Sequence, residues 1–469
     1  MKFGIGIDIG TFHTVATSVN ENNFCVPKKS IPSIALRSGN TPIVGNDAID
    51  QLGLSNGFEL ILAPKLLLNT DSNQDFLQKV ISKLAKLAID DIDYENDQSG
   101  NVVITVPPGW TREHCQLLEE AVEQIGIKAS FIHEPIALLI ATMHLAFKGS
   151  EQFSAKLENA DLFLVCDWGA GTVDIALVRV VKKGDRYEFS CEGEFTDRKH
   201  GGTSLARDIV YEYDKSVDID NMAYHLQSAW QGEELLDLSH YKPITSKRRD
   251  DAAIVIAEKI ENLFNEKDIK NKASIVCLFH GGPLESEELQ SFLKEKLIQS
   301  LGFSTRQFLH IGNQFSESLP FDKVPWRRDV LVSAGASLFA SRGDISPEFK
   351  YEIALRDSFG NISSRAPLEI KPNLRGIQVI KPPFTGCDYY VDVQQIRKED
   401  GTKTSQNKEL SLYVRPDAVL IYRISEAGVG FARIEVTEAE DCPVPIPFLD
   451  ARSEWVRLPE CSARFSIDF

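Results

Sequence analysis

Two short stretches constrain this chain more than anything else in it. Residues 3–19 read FGIGIDIGTFHTVATSV: an apolar run enters Asp8, then come Gly10 and Thr11, and a second β-rich run follows. About 160 residues later the pattern returns. The apolar run Leu162-Phe163-Leu164-Val165-Cys166 ends at Asp167, and Gly169, Ala170, Gly171, Thr172 and Asp174 follow. Each stretch predicts a β-hairpin whose tip carries Asp, Gly and Thr. Two such units predict two related lobes with a ligand in the cleft between them.

Small tip residues let several backbone N–H groups approach one anion, because glycine adopts dihedrals that other residues avoid. Thr11 and Thr172 add hydroxyl donors. Asp8 and Asp167 would repel a phosphate unless a cation intervened, and Mg²⁺ held by them through water resolves that conflict. Taken alone, each Asp-Gly pair reads equally well as a tight turn; its recurrence favours the phosphate cradle. The sequence has no G-x-x-x-x-G-K-[ST], which excludes a P-loop enzyme, and Gly4-x-Gly6 is too little for a dinucleotide fingerprint.

Bulk properties narrow the partners. A chain of 469 residues suggests two to four domains. A formal net charge of −17 argues against nucleic acid or an anionic membrane as partner, so a phosphate ligand needs local help. The 8 cysteines form no C-x-x-C pair, which argues against zinc. MKFGIGIDIG enters a strand at once, and no run of 18 apolar residues occurs. A reducing, cytoplasmic setting without a membrane span is expected.

Between the two hairpins, Val102–Val106 predicts a strand closed by Pro107-Pro108-Gly109. Leu117, Leu118, Ala121, Val122 and Ile125 then fall at helical spacing, with Gly126 as the stop. A short strand through Phe131-Ile132 precedes a helix opened by Glu134-Pro135. Residues 205–265 read as mainly helical. SIVCLF at 274–279 predicts a strand that runs into His280-Gly281-Gly282 and another helix, and DVLVSAGASLFA at 329–340 predicts one more. After about residue 345 the character changes: 10 of the 21 prolines fall there and short β-rich runs replace helical periodicity. Residues 1–344 and 345–469 are therefore expected to be an α/β domain and an all-β domain, joined near GDISP.

Five ordered motifs carry a family resemblance over roughly residues 1–342: IDIGTFHT at 7–14, VVITVPPGW at 102–110, FIHEPIALL at 131–139, VCDWGAGTVDIA at 165–176, and LFHGGP at 278–283 with VSAGAS at 332–337. Together they resemble the nucleotide-binding region of the DnaK-type heat-shock chaperones (the heat shock protein 70 family), within the actin and hexokinase superfamily. ILAPKLLL at 61–68 resembles that family's lysine-bearing stretch. The resemblance implies a two-lobed actin-like, ribonuclease H-like fold that binds ATP or ADP with Mg²⁺. It implies that Asp8 and Asp167 support Mg²⁺ and that Gly10, Thr11, Phe12, Gly169, Ala170, Gly171 and Thr172 surround the phosphates. Lys65 would reach the γ-phosphate or the attacking water, and Glu134 and Asp174 would position that water. Pro107 would act as a switch, and Gly201, Gly202, Gly281, Gly282 and Asp329 would line the nucleoside side. Phosphoryl transfer of this kind works by positioning and charge neutralisation.

Outside that context the same residues have plainer readings. Lys65 lies in a leucine-rich run, where a lysine is usually solvated. Glu134 can serve a helix dipole, and Pro107 can simply end a strand. His280 beside Gly281 is taken as structural and given no role.

The chain also departs from the family pattern. Pro283 and Glu285 stand where Ser-x-Arg would stack on adenine, and a carboxylate cannot replace that guanidinium. GEELLDLS at 232–239 keeps Leu238-Ser239 of the adenine-framing helix without its basic pair. Cys115 replaces a coupling arginine, and the junction is not the family's acidic, leucine-rich linker; both argue against a J-domain co-chaperone. The last 125 residues or so suffice for a substrate-binding-like β-sandwich and not for a helical lid. The expected function is a slow, lidless, chaperone-like ATPase acting on a protein client or a dedicated protein partner. The alternatives are a nucleotide-sensing scaffold with little hydrolysis and, behind it, a small-molecule kinase or an actin-like filament former.

Overall fold

A strand written GIGIDI can lie very close to its neighbours on the face where its glycines fall. A computed structural model of the chain shows what takes that space. It describes residues 3–310 apart from short segments, the longest at 93–100 and 231–240. It also describes 328–347, the strands between 349 and 440, and 463–468. The helix Leu331–Arg342 lies directly on the strand Gly4–Ile9. A β-carbon added at Gly6 would fall 2.0 Å from the Ser333 carbonyl oxygen, and one at Gly4 2.5 Å from that of Ser337. The opposite side of the same helix is equally bare. At Gly335 an added β-carbon would meet the Ala137 carbonyl oxygen, in the helix Glu134–Gly149, at 1.8 Å. The sequence SAGAS is thus the recipe for a helix packed tightly between a strand and a second helix. Its buried hydroxyls are satisfied locally: Ser333 donates to the Val330 carbonyl and Ser337 to that of Ala334.

Gly4–Ile9 pairs antiparallel with His13–Val19 and parallel with Asn101–Val106, which pairs in turn with Ala129–His133. With Phe24–Cys25 and Ile31–Pro32 this makes a six-stranded sheet. The parallel step from Asn101–Val106 to Ala129–His133 is made by the helix Arg112–Glu123, and Gly126, at φ 80°, turns the chain after it. A small sheet of Ile34–Ser38, Thr41–Val44 and Glu59–Leu62 lies in the same part of the chain.

The second large sheet has seven strands. Its interior strand Leu162–Trp168 is buried along its whole length, as the unbroken apolar run requires. It pairs antiparallel with Val173–Lys183 and parallel with Ile275–His280. The helices Lys242–Glu266 and Glu287–Leu301 bury Ile256, Ile260, Leu293 and Leu297 against Leu164, Trp168 and Ile175. Ser286 caps Glu287–Leu301, and Gly302, at φ 71°, ends it. Beyond Val173–Lys183 the sheet continues through Arg186–Asp197, Ala463–Asp468 and Gly343–Pro347.

The chain divides into two compact units, 1–344 with 466–469, and 345–465. The first is mixed α/β. In the second, the described residues form antiparallel strands: a sheet ordered Ile362–Leu368, Phe349–Asp357, Cys387–Arg397, Lys403–Val414, and another ordered Gly376–Ile380, Ala418–Ala427, Phe431–Glu440. Residues 466–469, expected with the second unit, group with the first, because Ala463–Asp468 is a strand of the seven-stranded sheet and Ile467 is fully buried. Nothing in SARFSIDF announces that pairing, which rests on backbone hydrogen bonds. Among the described residues no helix is long and apolar enough to cross a membrane. Residues 232–239 and most of the tail expected to lack a lid helix lie outside the described residues.

The bare helix gives a direct test. Gly335→Val must push its side chain into the backbone of Ala137, so unfolding monitored by circular dichroism is expected to show a loss of roughly 2 kcal/mol or more. A wild-type melting curve would contradict this packing.

Candidate functional site

Three glycine-bearing turns meet at the tip of the second hairpin. The tip closes on itself through Gly169 N–H, which donates to the Thr172 carbonyl at 2.8 Å. The turn before the helix Gly202–Tyr213 then docks on it: Gly202 N–H donates to the Gly169 carbonyl at 3.1 Å, and Thr203 N–H to that of Ala170 at 2.5 Å. Gly201 presses so closely on Gly171 that an added β-carbon would sit 2.4 Å from its carbonyl. Gly281, at φ 109°, approaches the Trp168 backbone from the third side, where an added β-carbon would lie 2.0 Å from the carbonyl oxygen. No residue but glycine suits that position, for want of space and for its dihedral.

Polar contacts pin the arrangement. Trp168 Nε1–H donates to the His200 carbonyl at 2.8 Å. Asp197 gathers its own turn by accepting from the Lys199 and His200 N–H groups at 2.8 and 2.9 Å, and it pairs with His200 Nδ1 and Lys259. Burial pushes the Asp197 carboxyl up, but Lys259 and His200 outweigh it and hold the group down at about 2.

The first hairpin tip reaches this structure through Thr11. Its side chain packs on Gly171, with its hydroxyl oxygen 2.1 Å from where a β-carbon would be. The carboxylates stand behind the two tips. Asp8 Oδ1 accepts from the Thr105 hydroxyl at 2.7 Å. Asp174 is buried and accepts from the Thr172 and Thr196 hydroxyls at 2.5 and 2.6 Å. Asp167 lies directly across from Asp174 in the hairpin register. Lys65 is only 1% exposed; its Nζ donates to Glu134 Oε1 at 2.6 Å and to the Thr105 carbonyl at 3.1 Å, and it lies 5.3 Å from the Trp110 ring centroid.

These groups sense one another. Burial raises the Glu134 carboxyl to about 7; Lys65 opposes the rise, and Asp8 and Asp167 add to it. Burial likewise raises Asp8, with Lys65 opposing, and it raises Asp174 with help from the negative charge of Glu134. Four carboxylates thus share the space with one lysine and His280. Acidic groups crowded in this way shed protons readily to a divalent cation, and the cluster suits one. Among the described residues no three acidic, His or Cys side chains converge as direct metal ligands.

The structure therefore brings together Asp8, Lys65, Glu134, Asp167 and Asp174, with Thr11, Thr172, Gly169–Gly171 and Gly201–Gly202 on the turns beside them. Gly10 packs on the His13 carbonyl. Pro107 directly follows the strand Asn101–Val106, and its carbonyl accepts from Trp110 N–H at 3.1 Å. The remaining expected residues make local contacts of their own. The Phe12 ring joins an apolar cluster with Ile34, Leu36 and Leu62 and stacks on Tyr224 at 5.4 Å. Asp329 accepts a hydrogen bond from Ser30. Gly282 opens a short 3-10 turn, Gly282–Glu285, in which Pro283 lies. Thr105, Thr196 and His280 carry no functional role in the sequence pattern. Thr105 and His280 could have been found by their places at or near the end of parallel strands that flank the two aspartates.

No model of a known protein family matches the chain. It is similar to the chaperone protein DnaK of Thermoplasma volcanium, with 25% identity over 325 residues, covering 62% of this chain and 51% of that protein. The chain thus spans about half the length of the curated relative it matches.

Two stability measurements follow. Asp197→Ala leaves Lys259 and two N–H groups without their acceptor and is expected to cost roughly 1–3 kcal/mol; in the wild type the Asp197 contribution is present above pH 3.8 and is lost as pH falls through about 2. Glu134 has the opposite sign. Its contribution is fully present below pH 4.5 and is lost as pH rises through about 7. The melting temperature of the metal-free protein should therefore fall between pH 5 and 8, with a shallower slope in Glu134→Gln. An unchanged slope in that variant would refute the assignment.

Proposed function

We propose that this chain is a divergent chaperone-like ATPase that binds Mg²⁺ and ATP between its two hairpin tips. The observation that supports this best is Lys65. An ammonium buried against Glu134 and facing Asp8 is costly to keep for stability alone and is typical of a charge held ready for a reaction. The ordered motifs and the similarity to a DnaK chaperone agree with it.

In this reading the N–H groups and hydroxyls around Gly10-Thr11 and Gly169–Thr172 bind the phosphates. Asp8 and Asp167 would hold Mg²⁺ through water, which neutralises phosphate charge when bound. Lys65 is oriented by Glu134 and by the Thr105 carbonyl. Glu134, raised to about 7, can accept a proton from water near neutral pH. Asp174, fixed by two threonine hydroxyls, positions that water. Gly201 and Gly202 border the nucleoside side, together with Gly281, Gly282 and Asp329, and Pro107 transmits changes to the surface. The β-rich part would bind a protein client or partner in response to the nucleotide.

A second reading, a nucleotide sensor with little hydrolysis, draws on one specific contact. Thr11 packs directly on Gly171, so phosphates entering between the tips must part them. Occupancy would then be reported as tip separation whether or not hydrolysis follows.

Calorimetric titration of the full chain with ATP, ADP and GTP in the presence of Mg²⁺ tests both. Binding in the micromolar range or tighter is expected, weakened at least 10-fold in Thr11→Val/Thr172→Val. Binding with turnover supports the ATPase; binding without turnover supports the sensor. No binding of any nucleotide would sink both.

A further inference from the structure

Each carboxylate behind the tips has an anchor that fixes its orientation. Thr105 holds Asp8, Lys65 holds Glu134, and Thr172 and Thr196 hold Asp174. Asp167 is different: the group that holds its side chain is an imidazole. His280 Nδ1 lies 2.9 Å from Asp167 Oδ1, with both residues buried. The acceptor is a carboxylate, so the imidazole donates, and the proton sits on Nδ1.

The backbone enforces this pair. Ile275–His280 runs parallel to Leu162–Trp168, with His280 in register with Asp167. Both residues stand at the carboxyl ends of parallel strands, where open α/β sheets bind ligands. The residue after His280 is Gly281, whose φ of 109° and direct contact with the Trp168 backbone fix where the strand ends. His280 therefore has little freedom, and neither has the oxygen it holds.

We propose that His280 is a positioning residue. By holding Oδ1 it fixes the Asp167 carboxylate so that Oδ2 is presented to the hydration shell of a divalent cation in the cleft. This rests on the reading of the cleft as a Mg²⁺-nucleotide site. It goes beyond that reading by assigning a residue that the motifs left without a role. Hydrogen bonds of this outer kind orient metal-binding groups, and their loss typically lowers metal affinity by about 10–100-fold.

The test separates this role from packing. ATP is titrated calorimetrically into the full-length protein with Mg²⁺ and, separately, with EDTA, and the ratio of the two dissociation constants gives the gain due to the metal. His280→Leu removes the donor. His280→Asn keeps an N–H close to the Nδ1 position. Melting temperatures of the two ligand-free variants report their folding. The expected result is a gain at least 10-fold smaller in His280→Leu and largely restored in His280→Asn. ¹⁵N-labelled histidine spectra of the wild type give a readout free of substitutions: the His280 Nδ1–H signal should shift with Mg²⁺-ATP and stay put with ATP in EDTA. A wild-type ratio in a folded His280→Leu protein, or an Nδ1–H signal indifferent to Mg²⁺, would overturn the proposal. Failure of the underlying reading has a different signature, in which the wild type binds no ATP in either buffer, and the proposal then falls with it.

Discussion

A crowd of buried acidic groups organises this molecule. Asp8, Glu134, Asp167 and Asp174 share a largely enclosed space with the ammonium of Lys65 and the imidazole of His280. Bringing carboxylates out of water is expensive, and each neighbour of like charge adds to the cost. Other parts of the fold contribute stability so that these groups can stay there. Two sheets deliver the aspartates from strand ends, and hydroxyls and an ammonium take up most of the oxygens.

The deep packing around that charge depends on the absence of side chains. Gly4 and Gly6 bring a strand onto the helix Leu331–Arg342, and Gly335 brings that helix onto Glu134–Gly149, the helix that begins with the partner of Lys65. Gly201 and Gly281 do the same for the turns around the second tip. Backbone packed at this distance has little room to adjust, so the groups it carries are held in position. In the proposed reading the site works by placing charges, and it needs that rigidity more than any single reactive group.

Much of this was legible in the sequence because period and punctuation were strong. The unbroken run Leu162–Cys166 announces a buried strand; Glu134-Pro135 opens a helix, and Gly126 ends another. The paired Asp-Gly-Thr tips gave the carboxylates and hydroxyls that the fold brings together. Lys65 read by itself as a solvated lysine in a leucine-rich run, but it is almost wholly buried. One helical turn, Pro64–Leu67, carries it under Trp110, and only the folded chain brings Glu134 within reach. The Phe12 ring packs into an apolar cluster that includes Tyr224, from a helix more than 200 residues away in the chain, and no local pattern announces that contact.

The sequence by itself determined the local elements, the two tips and the acidic, hydroxyl and glycine residues they carry, because turns and strand patterns are set by neighbours along the chain. Tertiary structure decided the partners. It placed His280 on Asp167, Thr105 on Asp8 and Asp197 under Lys259, and it returned Ala463–Asp468 to a sheet begun 300 residues earlier. Strand register and close backbone approach are non-local. They follow from which surfaces meet in space, and no window of sequence contains both sides of such a contact.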